Sequence, residues 1–145
     1  MMHNLLLADD DSDDCLFFQE ALDELPIQSI LTTVNDGVEL MAYLTQTRSK
    51  LPKALFLDLN MPLKSGFECL SEIKLIENLK QLPVIIFSTS FDTKVIDSLY
   101  ANGASYYIRK PGEFDTLKKV INEAISLVDT PNFTQPNRSN FIIQP

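Results

Sequence analysis

Five short apolar runs punctuate the chain, and a longer segment of helical period follows each one. The runs are Leu5-Leu6-Leu7-Ala8, Ser29-Ile30-Leu31-Thr32-Thr33-Val34, Ala54-Leu55-Phe56-Leu57, Val84-Ile85-Ile86-Phe87 and Tyr106-Tyr107-Ile108. Four of them are nearly unbroken rather than alternating. A strand of that kind is buried on both faces, so the sheet must be parallel and covered by helices. The intervening segments supply those helices. Phe17, Phe18, Ala21, Leu22 and Leu25 share one helical face, and Phe114, Leu117, Val120, Ile121, Ala124, Ile125 and Val128 form the clearest stripe. Start and stop signals agree. Asp11 or Ser12 can cap the first helix, Ser65 and Glu68 have capping-box spacing, and Gly103 follows the fourth helix.

Five β-α units with right-handed crossovers leave few topologies. The expected fold is α/β, a flavodoxin-like (βα)5 doubly wound parallel sheet with strand order 2-1-3-4-5. Residues 1–128 form one domain by this pattern. Residues 129–145 are rich in Asn, Gln and Pro and read as a C-terminal tail, although Phe133 and Phe141-Ile142-Ile143 interrupt that composition.

Charge narrows the function classes. Lys+Arg 12 against Asp+Glu 20 leaves −8, which disfavours nucleic acid and anionic membrane as partners. No apolar run approaches the ~20 residues of a spanning helix, and the N-terminus lacks a secretory h-region. Cys15 and Cys69 have no CxxC spacing, so reduced thiols in a cytoplasmic protein are expected.

In an open parallel sheet, ligands bind beyond the carboxyl ends of the strands, where strand order reverses. Asp9 and Asp10 follow the first run, Asp58 the third, Ser88 and Thr89 the fourth, and Lys110-Pro111 the fifth. The first and third strands flank the switch point, so Asp9, Asp10 and Asp58 converge, with Ser88 and Lys110 opposite. Clustered carboxylates stay ionised cheaply only around a cation. Mg²⁺ suits them: it takes hard oxygen ligands and is usually shared with a phosphate. Lys110 adds a point charge for phosphate and Ser88 a hydroxyl donor. A nucleophilic carboxylate, a metal, an ammonium and a hydroxyl are the parts for forming an aspartyl phosphate.

On these residues the chain resembles the response-regulator receiver domain of two-component signalling. The matching stretches are Leu5 to Asp10, Phe56 to Pro62 with Gly66, Pro83 to Thr89, and Gly103 to Pro111, within roughly residues 4–128. The resemblance implies that Asp58 is the phosphoacceptor. It implies that Asp10 binds Mg²⁺ directly, Asp9 mainly through water, and Asn60 through its backbone carbonyl. Ser88 and Lys110 contact the phosphoryl group, and Tyr107 is the aromatic switch. Lys110-Pro111 is expected to be cis. The partners implied are a sensor histidine kinase or a histidine phosphotransfer protein, and a downstream protein. A partner or a second copy of the chain would meet the face formed by the fourth helix, fifth strand and fifth helix. The Asp-rich start and Ser88-Thr89-Ser90 are most similar to the single-domain regulators found with phytochrome-type and hybrid sensor kinases. Thr89 stands where Ala or Gly is usual and narrows access, and Gly112 makes the loop after Pro111 freer.

Bland readings stand beside these. Asp9-Asp10-Asp11 alone is an acidic helix start, Lys110 alone a solvated lysine, and Ser88-Thr89-Ser90 alone a helix cap. Tyr106 and Tyr107 alternate on a strand, which predicts one in the core and one on the surface. His3, the only histidine, is expected to be solvated. The enzyme alternative is a phosphatase of the haloacid dehalogenase type using Asp9 and Asp11. It leaves Asp58 and Met61-Pro62 unexplained. A flavin or nucleotide binder lacks a Gly-rich phosphate loop. The leading expectation is a stand-alone regulator: a phosphorylation switch rather than a turnover enzyme, with only the tail after its last helix.

Overall fold

The burial each run demands is met in a computed structural model, which describes residues 2–46 and 51–145; Met1 and residues 47–50 lie outside the described residues. Strands β1 (His3–Ala8), β2 (Ser29–Val34), β3 (Ala54–Leu57), β4 (Val84–Ser88) and β5 (Tyr106–Arg109) alternate with helices α1 (Ser12–Asp23), α2 (Gly37–Gln46), α3 (Gly66–Leu75), α4 (Thr93–Ala101) and α5 (Phe114–Val128). The strands pair in parallel in the order β2-β1-β3-β4-β5. This is the expected flavodoxin-like architecture.

The central strands are buried throughout because each side chain, whichever way it points, meets a helix layer. Leu6, Leu55, Leu57, Val84 and Ile86 pack on the side of α2, α3 and α4. Leu5, Leu7, Phe56, Ile85 and Phe87 pack on the side of α1 and α5. Phe18 of α1 anchors the second layer edge-on to Phe56 and Phe87, with ring centroids 4.9 and 5.5 Å away. Asp11 caps α1, accepting hydrogen bonds from the amides of Asp13 and Asp14, and Ser65 and Glu68 form a full capping box on α3. Both thiols are free, and burial pushes each up to about 11, so neither is a thiolate near neutrality. Among the described residues no helix is long and apolar enough to cross a membrane.

Several local expectations are corrected. Tyr106 and Tyr107 are both buried, because residues after α5 fold back over β5 and cover the face that alternation would leave wet. Phe133 packs on the Tyr106 ring at 6.0 Å, and Phe141 on Tyr107 at 6.4 Å. His3 is not a free solvated ring. Its Nε2 lies 3.1 Å from the Asp129 carboxylate, which Lys53 also holds at 2.6 Å. The Lys110-Pro111 bond is trans, since no described peptide bond is cis. The isomers differ intrinsically by only about 0.5–1 kcal/mol, and the favoured one is retained here.

Gly66 sits where the turn from β3 into α3 closes on itself. A Cβ there would lie 2.2 Å from the Asp58 carbonyl oxygen. Gly66→Ala must therefore push the backbone of Asp58. It should destabilise the chain by about 1–3 kcal/mol, seen as a lowered urea midpoint. Gly112→Ala, with nothing within 4 Å of the new methyl, should stay within about 0.5 kcal/mol of the parent.

Candidate phosphoryl and cation site

The carboxyl ends of β1, β3, β4 and β5 meet at one edge of the sheet. Pairing of Ala8 with Leu57 puts the residues after β1 and β3 side by side. The Asp58 amide donates to the Ala8 carbonyl at 3.0 Å, and the Asp9 amide to Val34 at 3.0 Å. Asp9, Asp10 and Asp58 each offer a carboxylate oxygen within 4.8 Å of the others. Asp9 has no exposure and Asp58 only 7%, whereas Asp10 is exposed at the mouth.

Each buried carboxylate is anchored on one side. Asp9 Oδ1 accepts the Asp11 amide at 3.0 Å, and Asp58 Oδ1 the Leu59 amide at 2.8 Å. The other oxygens face Lys110, whose Nζ lies 2.7 Å from Asp9 Oδ2, 2.9 Å from Asp14 Oδ2 and 3.4 Å from Asp58 Oδ2. The contact to Asp9 Oδ2 is a close charge pair without the alignment of a hydrogen bond, and among the described residues that buried oxygen finds no hydrogen-bond donor. An anionic oxygen so placed, beside two more carboxylates, is a donor set of the type a small hard cation takes.

The electrostatics follow from crowding. Burial raises the Asp58 carboxyl above the ordinary range; the Lys110 charge draws it down and the Asp9 charge pushes it back up. Burial works to lower the Lys110 ammonium, but Asp9, Asp14 and the charge of Asp58 outweigh it and hold it above the ordinary lysine range. Lys110 is thus a fixed positive charge. Its Nζ also sits 5.6 Å from the centre of the Phe87 ring.

The remaining expected residues fall around this core. Ser88 is fully buried at the end of β4, its Oγ accepting the Ser90 amide at 3.2 Å. Thr89 is exposed at the mouth, and Asn60 is exposed two residues beyond Asp58. Tyr107 is fully buried, and its hydroxyl donates to the Ser90 carbonyl. Asp14 was not expected in the pocket. An acid in the first turn of a helix satisfies the dipole anywhere. The available signal was its spacing: four residues after Asp10, one turn into α1, it faces back toward the strand ends. Asp11 does not join the pocket. Its carboxylate caps α1 and is exposed, so the paired Asp9/Asp11 arrangement of the haloacid dehalogenase alternative is not supported.

Because the Asp58 carboxyl is raised, its ionisation opposes folding above the ordinary carboxylate pKa and not below it. Asp58→Asn should therefore raise the urea midpoint at pH 7. The gain should shrink as pH falls through the raised pKa and vanish below the usual carboxylate range, where the parent side chain is neutral too. A midpoint difference independent of pH would refute this.

Residues 5–122 match the response regulator receiver domain family. The chain is 33% identical to the response regulator Rcp1 of Synechocystis over 81% of its own length and 82% of that protein. It is similar to the crystal structure of the phosphorylated cyanobacterial phytochrome response regulator RcpA, with TM-score 0.78 and 34% identity, covering 85% of this chain and 91% of that one. It is similar in the same way to the Mn²⁺-bound form of Rcp1, with TM-score 0.78 and 32% identity, covering 92% and 99%. A sheet in the order β2-β1-β3-β4-β5, with acids after β1 and β3 and a lysine after β5, accompanies these likenesses: the chain belongs to the response regulator receiver domain family of two-component signalling.

Proposed function

We propose that the chain is a phosphorylation switch in which Asp58 accepts a phosphoryl group from a sensor histidine kinase or a histidine phosphotransfer protein. The observation that carries this is the cluster of Asp9, Asp10 and Asp58, with the fixed ammonium of Lys110 set against Asp9 and Asp58. Residues 1–128 are the receiver and 129–145 an appended segment. Likeness to phytochrome response regulators supports a phytochrome-type or hybrid kinase as donor. The exchange takes place in the cytoplasm, beside the kinase's catalytic part.

In transfer, an Asp58 carboxylate oxygen forms a bond to phosphorus as the N–P bond of a phosphohistidine breaks. The leaving imidazole keeps the electron pair and takes up a proton. Asp58 Oδ1 is tied to the Leu59 amide, which fixes the carboxylate plane before attack. Lys110 meets the transferred oxygens as a point charge, and Ser88 donates its hydroxyl to one of them. Asp9, Asp10 and Asp58, with the Asn60 carbonyl, would hold Mg²⁺, which when bound neutralises phosphoryl charge. The Mn²⁺-bound Rcp1 structure supports a divalent cation there. Loss of the group is hydrolysis: water attacks phosphorus, the O–P bond breaks, and Asp58 returns as a carboxylate with inorganic phosphate released. The chain acts on its own side chain, so it is a switch rather than a turnover enzyme. Its output passes through the face of α4, β5 and α5 to a protein.

Intact-mass measurement tests the assignment. With acetyl phosphate and Mg²⁺ the parent should gain one phosphoryl group, and Asp58→Asn should fold and gain none; a group found on another residue refutes it. Thr89 stands exposed directly after Ser88, and on this reading it screens an in-line water. Thr89→Ala should shorten the phosphoryl lifetime roughly three- to tenfold, a range in keeping with misplacement effects near a reacting centre. An unchanged decay would show that Thr89 does not gate the site.

A further inference from the structure

The chain after α5 runs back along the outer side of β5. Gln135 donates to the carbonyls of Tyr100 and Ala104 at 2.9 and 2.7 Å, and the Tyr100 hydroxyl donates to Pro136 at 2.7 Å. Arg138 pairs with Asp97 of α4 at 2.8 Å. A short turn at Arg138–Asn140 then delivers an extended segment, and Ile142 bridges Tyr107 in parallel. The Tyr107 amide donates to Phe141 at 3.0 Å, and the Ile143 amide donates to Tyr107 at 2.9 Å. Side chains alternate as on a strand. Phe141, with no exposure, plugs the α4 side against Tyr100 and Tyr107, while Ile143 joins the α5 side.

This segment closes an edge that the fold would otherwise leave open. β5 is the last strand of the sheet, and an edge strand presents unpaired amides and carbonyls to any extended chain. The closure is local. It uses both backbone groups of one residue, Tyr107, and two large apolar side chains two positions apart. Open grooves flank it. One of about 450 Å³ lies toward Phe91, Arg109 and Pro111, and one of about 500 Å³ toward Tyr106, Glu123 and Leu127. Gln135, Tyr100 and Arg138 tie the chain that leads to it, but the pairing with the sheet itself is confined to one residue, with unfilled space on both sides, and pairing so confined can open locally.

We propose that residues 133–143 are an intrachain strap that occupies the β5 edge and leaves it to admit a partner segment of the same pattern, extended, with large apolar side chains at alternate positions. Such a segment would repeat the two hydrogen bonds to Tyr107 and refill the Phe141 and Ile143 sites, the mode of strand addition at a sheet edge. Strap and partner then exclude each other. Tyr107 takes part in both the strap and the loop after β4, so modification of Asp58 loosens the strap. This coupling rests on the function proposed above.

The test uses the full chain. Amide exchange followed by NMR should show Tyr107 and Ile143 protected in the parent. Ile143→Pro removes one strap donor and Phe141→Ala removes the plug. Each should raise Tyr107 amide exchange about tenfold or more, leaving Leu6 in β1 unchanged as the sign of an intact fold. A labelled peptide copying residues 137–145 should bind both variants at least about tenfold more tightly than the parent, an affinity gain expected once an internal competitor is removed. Equal binding to parent and variants, or a parent Tyr107 amide as fast as an unstructured one, overturns the strap. Mg²⁺ with beryllofluoride, a phosphoryl mimic, should speed exchange at Tyr107 and Ile143. If intact mass shows Asp58 phosphorylated while that exchange stays unchanged, the coupling is wrong. If Asp58 takes no phosphoryl group, the function proposed above fails, and the variants and peptide still decide the strap.

Discussion

Lys110 is the counter-charge on which the site depends. Asp9, Asp14 and Asp58 all lie within 3.4 Å of its Nζ, and two of them are buried. Without an ammonium among them, so many carboxylates would keep apart or stay protonated. The ammonium reaches them from the end of β5, two strands away from β3 and three from β1. It can do so because the Lys110 amide is pinned to the Ser88 carbonyl at 2.8 Å and its Nζ passes close to the Phe87 ring. The end of β4 is therefore a bridge between the acids and the base. On the function proposed above, Ser88 would be the first residue to feel a group arriving on Asp58.

Much of this was legible in the residues. Unbroken runs such as Ala54-Leu55-Phe56-Leu57 can be buried on both faces only in a covered parallel sheet, and the observed order follows from that constraint. Because ligands gather where strand order reverses, Asp9, Asp10 and Asp58 could be placed together from topology alone. Asp14 was hidden because its type and place already had a sufficient local explanation at the start of α1. The two tyrosines were misjudged for a related reason. Alternation predicts one dry and one wet face for β5, but only while nothing from afar covers the wet one. Asn, Gln and Pro in residues 129–140 concealed the covering segment, whose traces were Phe133 and Phe141-Ile142-Ile143.

That covering changes what β5 can do. A receiver whose last strand is open offers its edge to any extended chain. Here the edge is already paired, and the pairing uses Tyr107, the one β5 residue whose hydroxyl also reaches the loop after β4. Burial raises the Tyr107 phenol, and a hydrogen bond with Ser88 draws it back down. The ring is thus sealed by Phe141 on one side and tied to polar groups of the β4 end on the other.

A continuous set of hydrogen bonds runs from the pocket to the strap. Ser88 Oγ accepts the Ser90 amide, the Ser90 carbonyl accepts the Tyr107 hydroxyl, and the Tyr107 amide donates to Phe141. A hydroxyl that donates to a phosphoryl oxygen can still accept an amide hydrogen, so Ser88 need not give up Ser90 when it turns. The loop must then follow the hydroxyl. The Ser90 carbonyl would move with it, and Tyr107 would either follow or lose that acceptor. A buried phenol that loses a partner is penalised by about 1–3 kcal/mol. Two contacts joined through one buried tyrosine would form a bistable element rather than a graded one. On the readings proposed above, that balance would let a change of charge at Asp58 decide whether the β5 edge is closed.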